Sequence, residues 1–371
     1  MKNTIIWIVV ILIVLIGGYF LITAPTEETG PIKIGLSSPM TGEAASYGDA
    51  FLGGAMLAVK EINDAGGING RLIELVVEDD KCSSDGATVY NKLINIDKVI
   101  GIVGPMCSAA AGPAVDIAQN AGVPSIIVAS APGLTKTGDY IFRNYPSDSL
   151  QGKFAADYVY NTLGKKKAAI IYVQNDWGQG LKNVFGDRFK ELGGEILYDE
   201  GVPQDSSDLR TLITKVKSVK PDILFFPVYP KNAVSGLKQI KDLKLNVTIM
   251  SGDGFDGKEV TEADGAEGTL YTVAKLSLPE DFQKKVQEIS GKGTNIFTPF
   301  AYDGVKIFAE VIKKVGTNKE AIKNELSKLS YKNSISLPVI EFDEDRDLKS
   351  AEFEVKIIKS GKGVPFELKQ E

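Results

Sequence analysis

Ser108, Ser130 and Asp253 are the side chains whose type and setting suit the capture of a small charged molecule. Ser108 follows Gly104-Pro105-Met106-Cys107 and opens a helical pattern. A hydroxyl there, together with the free backbone N–H groups of a helix's first turn, holds an anion with help from the helix dipole. The same hydroxyl also reads as an N-cap, and the two roles are compatible. Ser130, in Ala129-Ser130-Ala131-Pro132, offers the same donors from a neighbouring loop. Asp253, in Gly252-Asp253-Gly254, is a negative partner for an ammonium group through a charge-assisted hydrogen bond. Asp between glycines is also ordinary turn chemistry. Tyr47, Trp177 and Tyr229 supply apolar walls with polar tips, although each taken singly reads as packing.

Absent residue types narrow the function further. The 371 residues include no histidine, which rules out Ser-His-Asp and Cys-His machinery and leaves acid–base work to carboxylates, Lys or Tyr. The first strand is not followed by GxGxxG, Gly101-x-x-Gly104 has the wrong spacing for a dinucleotide loop, and no Walker A motif occurs. Asp79-Asp80 and the acidic residues of 343–347 read as solvated loop carboxylates. A net charge of −6 without basic runs argues against nucleic acid. With neither histidine nor CxxC, no zinc site or other metal site is expected. The remaining inventory suits binding without a covalent step, so no enzyme activity and no cofactor are expected.

Strands and helices must bring these loops together. At 43% hydrophobic and 24% charged, the composition is that of a globular chain, and its length suggests two domains. From residue 32 onward, β-branched runs alternate with helical patterns, the signature of βα units around a parallel sheet. The first series has strands at 32–36, 72–77, 99–103 and 125–128, with helices from Leu52 to Ile62, near 88–96 and around 109–121. The second follows Pro146, with strands at 169–173, 196–197, 222–227 and 247–250. Its helices carry Phe154, Tyr158 and Leu163, then lie near 181–192, at 209–219 and at 233–243. Two doubly wound sheets with one element order predict a cleft, and ligands in such sheets bind beyond the carboxyl ends of strands. The candidate residues all fall in those loops.

Residues 5–22 carry no charge and follow Lys2, close to the length of about 18 needed to cross a bilayer. A transmembrane anchor over 1–24 is expected, with a cleaved signal as the competing reading; Ile22-Thr23-Ala24 before Pro25 is a poor cleavage site. An acidic linker follows at 25–30. No cysteine precedes Cys82, so lipidation at an N-terminal cysteine is not available. Cys82 and Cys107 fall in the part expected outside the membrane, where they are either paired or separately buried.

The segments IKIGLSSPMTGEAASYG from Ile32, GGAMLAVKEINDAGGING from Gly53, Asp79-Asp80-Lys81-Cys82, GPMCSAAAGPAVD from Gly104, ASAPGLT from Ala129 and Trp177-Gly178-Gln179-Gly180 occur in this order. Together they resemble the leucine/isoleucine/valine-binding proteins of the type I periplasmic binding fold, over essentially all of residues 32–360. The resemblance implies that Ser108 and Ser130 hold a ligand carboxylate. It further implies that the Val128 carbonyl, the Ser130 hydroxyl and Asp253 hold its ammonium, with Tyr229 assisting. Tyr47 and Trp177 match aromatic positions that close over the side chain, and Cys82 and Cys107 match a disulfide pair. Asp253 is one methylene shorter than the glutamate common at its position, and Trp177 stands where tyrosine is common.

The expected architecture is α/β, with two Rossmann-like lobes formed by 31–148 with 275–345 and by 149–274 with 346–371. The resemblance implies hinge closure on a free, branched-chain amino acid and delivery to ABC permease subunits by a monomer; the uncharged N-terminal run, in place of the family's usual cleaved or lipidated start, implies that this monomer is held at the cell membrane with its binding domain outside. A tethered sensor of amino acids or amides is the alternative.

Overall fold

The computed structural model describes residues 30–42, 44–276 and 278–367. The expected anchor over 1–24 lies outside them, and among the described residues no helix is long and apolar enough to cross a membrane.

One sheet is wholly parallel, in the order β2-β1-β3-β4-β5. Its strands are β1 (Ile32–Ser38), β2 (Ile73–Asp79), β3 (Gly101–Val103), β4 (Ser125–Ile127) and β5 (Ile141–Arg143). Three helices connect them: α1 (Ala45–Asp64), α2 (Gly86–Asn95) and α3 (Ser108–Ala121). Ile34, Leu36, Val103 and Ile126 are fully buried, as strands covered by helices on both faces must be. On α1, Tyr47, Phe51, Ala55 and Ala58 fall at helical spacing and point into the core.

After α4 (Asp148–Asp157) the chain builds a second sheet from β6 (Lys167–Val173), β7 (Glu195–Val202), β8 (Ile223–Phe225), β9 (Thr248–Ser251) and β10 (Leu270–Ala274). The intervening helices are α5 (Asp176–Glu191), α6 (Arg210–Val219), α7 (Pro230–Asp242) and the single turn α8 (Lys258–Thr261). Three more helices, α9 (Glu280–Ser290), α10 (Thr298–Val315) and α11 (Lys319–Leu326), return the chain to the first sheet, where α10 packs on α1 and β3. A Cβ on Gly54 would meet the Thr298 carbonyl oxygen at 2.1 Å, so the α1–α10 approach depends on a glycine. A small antiparallel pair, β11 (Ser330–Tyr331) and β12 (Ile340–Glu341), precedes β13 (Phe353–Lys359) and β14 (Lys362–Pro365). These last two extend the second sheet antiparallel, giving the order β14-β13-β10-β9-β8-β6-β7.

The order β7-β6-β8-β9-β10 repeats β2-β1-β3-β4-β5 element for element. In each sheet the winding reverses between the first and third strands in chain order, which opens a crevice at the carboxyl ends. The two α/β sheets expected from sequence are present, but the first has five strands where four were read. Its fifth, Ile141–Arg143, is three residues long and carries no periodicity of its own. The strand read at 196–197 runs instead over Glu195–Val202, a half-buried edge strand whose charged residues mask its pattern.

Cys82 and Cys107 form the disulfide that the resemblance implied, joining the turn after β2 to the residue before α3. The cross-linked residues lie 25 apart, a loop whose closure is worth about 3 kcal/mol in the unfolded chain. Replacing both with serine should lower unfolding free energy by that order in guanidinium titrations, with the native circular dichroism spectrum retained.

Candidate functional site

A cavity at the carboxyl ends of both sheets is lined by Ala44, Tyr47, Met106, Cys107, Ser108, Val128, Ser130, Trp177, Tyr229, Asp253, Gly254 and Phe297. All seven residues singled out in the sequence as ligand-binding candidates are among them. The loops after β1, β3 and β4 supply one wall, and those after β6, β8 and β9 supply the other, so equivalent strands of the two sheets contribute.

Gly104 turns the chain out of β3 at φ +93°, and a Cβ there would meet the Ser37 carbonyl oxygen at 2.2 Å. The Pro105 carbonyl then accepts from the N–H groups of Val128 and Ala129, both at 3.1 Å, and so ties this loop to the one after β4. Cys107, not Ser108, holds the N-cap position, with no side-chain cap bond. Ser108 is the first residue of α3, and its Oγ accepts from the Ala131 N–H at 3.1 Å. Its own hydroxyl proton therefore stays available beside the free N–H groups of the helix's first turn. This part of the lining offers hydroxyl and backbone N–H donors.

Asp253 opens a short turn, Asp253–Phe255, directly after β9, and is 3% exposed. Tyr145 donates its hydroxyl to Asp253 Oδ2 at 2.6 Å. Burial pushes the carboxyl up to about 6, against the opposing effect of the Tyr145 hydrogen bond. The lining here offers a buried carboxyl.

The rest of the lining is largely aromatic and apolar. Trp177 stacks on Tyr229 at 5.2 Å with planes 13° apart, and Tyr47 meets Phe297 edge-on at 5.5 Å. The Tyr47 hydroxyl donates to the Gly254 carbonyl at 3.0 Å, which spends its polar tip on the opposite sheet's loop. The buried Tyr229 hydroxyl has no hydrogen-bond partner among the described residues.

Sequence reasoning missed several contributors. Met106 and Phe297 line the cavity without any polar group to mark them. Tyr145 orients Asp253 from the segment joining β5 to α4, 108 residues away in sequence. Asp148, at the start of α4, is fully buried, and neither carboxylate oxygen has a hydrogen-bond partner among the described residues. Burial first, then the charge of Asp253, pushes its carboxyl well above the usual range; Arg143 opposes them. Arg143 is itself buried, donates to the Ala129 and Ala131 carbonyls at 3.1 and 2.7 Å and to Ser147 Oγ at 3.1 Å, and pairs with Asp347. It thereby holds the loop carrying Ser130.

Two like-wound sheets whose strand-end loops line one cavity define a bilobal binding fold. The chain belongs to the periplasmic binding protein family, whose model matches residues 31–361. It is 32% identical over 339 residues to the leucine-, isoleucine-, valine-, threonine- and alanine-binding protein of Pseudomonas aeruginosa, covering 87% of this chain and 89% of that one. The isoleucine complex of the branched-chain amino acid transporter substrate-binding protein LivJ from Streptococcus pneumoniae superposes with a TM-score of 0.81 at 30% identity, covering 90% and 99%. The leucine-binding protein LivK of Thermotoga maritima gives 0.82 at 26%, covering 91% and 98%.

A carboxyl whose pKa rises on folding binds its proton more tightly in the native state, so its contribution to stability is greatest in acid and is lost as pH rises towards about 6. A bound ammonium favours the ionised form and reverses that sign. Affinity for an ammonium-bearing ligand should rise with pH through about 6 and flatten above it, measured calorimetrically in matched buffers. Affinity independent of pH across that window would mean that Asp253 does not face the cation.

Proposed function

We propose that this protein captures a free α-amino acid with a branched aliphatic side chain and presents it to an ABC importer. The observation that supports the reading is that the α3 N-terminus, Ser130 and Asp253 line one aromatic-walled cavity together. Ser108 and Ser130 take the carboxylate, while the Val128 carbonyl, the Ser130 hydroxyl and Asp253 take the ammonium, with Tyr229 assisting. Tyr47 and Trp177 enclose the side chain. The names of its relatives support the ligand class, and the packed apolar walls favour an aliphatic side chain over a charged one.

The lobes of this reading are 31–148 with 275–345 and 149–274 with 346–371. Ligand contact with both stabilises the closed arrangement, with no covalent step. The uncharged run at 5–22 tethers the monomer, leaving the binding lobes outside the cell.

Calorimetric titration against leucine, isoleucine, valine, alanine, glutamate and an aliphatic amide tests the reading. Saturable binding confined to the branched-chain set is expected. Asp253→Asn should then cost at least about 2 kcal/mol, because it unpairs a buried ammonium. Binding of the amide alone, untouched by that substitution, would overturn the amino-acid reading.

A further inference from the structure

Gln204 lies in the turn after β7 and is only half-buried, yet it bonds in two directions. Its Nε2 donates to the Cys82 carbonyl at 3.0 Å, crossing from the second sheet's loops to the first's. Its Oε1 accepts from Asn175 Nδ2 at 2.9 Å. Asn175 is the N-cap of α5, and its own Oδ1 accepts from the Gly178 N–H at 3.0 Å, so the same residue frames the turn that carries Trp177.

The accepting carbonyl is held from several sides. Cys82 is covalently joined to Cys107, which lines the cavity immediately before Ser108. Its N–H donates to Asp80 Oδ1 at 2.9 Å, and the other Asp80 oxygen accepts from Ser37 Oγ at 2.7 Å. Cys82 also has a φ of +55°, a conformation that a non-glycine residue adopts only when its surroundings hold it there. A fixed acceptor in one half and a donor braced by a helix cap in the other form a contact that exists only while the halves are together.

Resting on the ligand reading above, we propose that Gln204 is a positioning residue for ligand retention, a latch between the two halves that joins the disulfide-held anion end of the cavity to the aromatic wall at Trp177. It touches no ligand. A second set of bonds, from Tyr47 to the Gly254 carbonyl and from Ser46 Oγ to Glu259 Oε1 at 2.7 Å, joins the loop after β1 to the loop after β9 and to α8. With closure shared between these places, losing one should speed opening without removing the site. A contact made only on closure changes how long the complex lasts and leaves the encounter with the open form unaltered.

Stopped-flow binding of L-isoleucine to the full chain and to Gln204→Ala and Gln204→Glu provides the test. A neutral hydrogen bond predicts dissociation about two- to tenfold faster in Gln204→Ala. Gln204→Glu should lose at least as much, because a carboxylate cannot donate to the Cys82 carbonyl. Association rates and the ligand-free melting temperatures should stay at the wild-type values. Unchanged dissociation in both variants would overturn the latch while leaving the amino-acid reading intact. A fall in association rate and ligand-free melting temperature would reduce Gln204 to a fold-stabilising residue and also overturn it. Failure of the wild-type protein to bind L-isoleucine would count against the ligand reading itself and take the latch with it.

Discussion

A carboxylate carried into an enclosed, aromatic-walled cavity demands a positive partner, and Asp253 sets that demand here. No lysine or arginine lines the cavity to meet it. The Tyr145 hydroxyl satisfies one oxygen in part, and burial still raises the pKa to about 6. Ser108 in the first turn of α3 and Ser130 line the same cavity with hydroxyl donors. In the proposed reading one α-amino acid head group, with its carboxylate and ammonium on a single carbon, meets both sets of groups.

The fold accomplishes this through repetition. Each sheet winds in the same order, so each offers its first, third and fourth strand ends to the crevice. The anion end comes from one sheet and Asp253 from the other, so a ligand that satisfies both must draw the halves together. Buried polar links hold each loop in place. The Pro105 carbonyl couples two loops of the first sheet, and Arg143 couples the second of these to the crossover and to Asp347. These links order each loop within its own half, which lowers the ordering cost of binding.

Much of this was legible in the sequence, for identifiable reasons. Alternating β-branched runs and helical faces reported the winding, because strands covered on both sides must be apolar throughout. Ser108, Ser130 and Asp253 announced themselves as small polar residues at strand ends, and the cysteine pair followed from the family resemblance. Strand β5 escaped because three residues carry no period, and β13 and β14 because an antiparallel extension late in the chain breaks the βα rhythm. Tyr145 and Asp148 escaped because their roles come from distant residues that only the crossover brings near. The N-cap reading of Ser108 failed by a single position, a distinction that local sequence does not encode.

The central claim is that both charged ends of one molecule are read at once. Competition calorimetry with L-isoleucine, 3-methylpentanoate and 2-methylbutylamine isolates that claim, because the last two each lack one of the charged groups. The account predicts that each analogue binds at least about 30-fold more weakly than L-isoleucine, the loss expected when a buried charge is left unpaired. An analogue that binds as tightly as L-isoleucine would contradict the account, because the end of the cavity facing its missing group would then have no part in recognition.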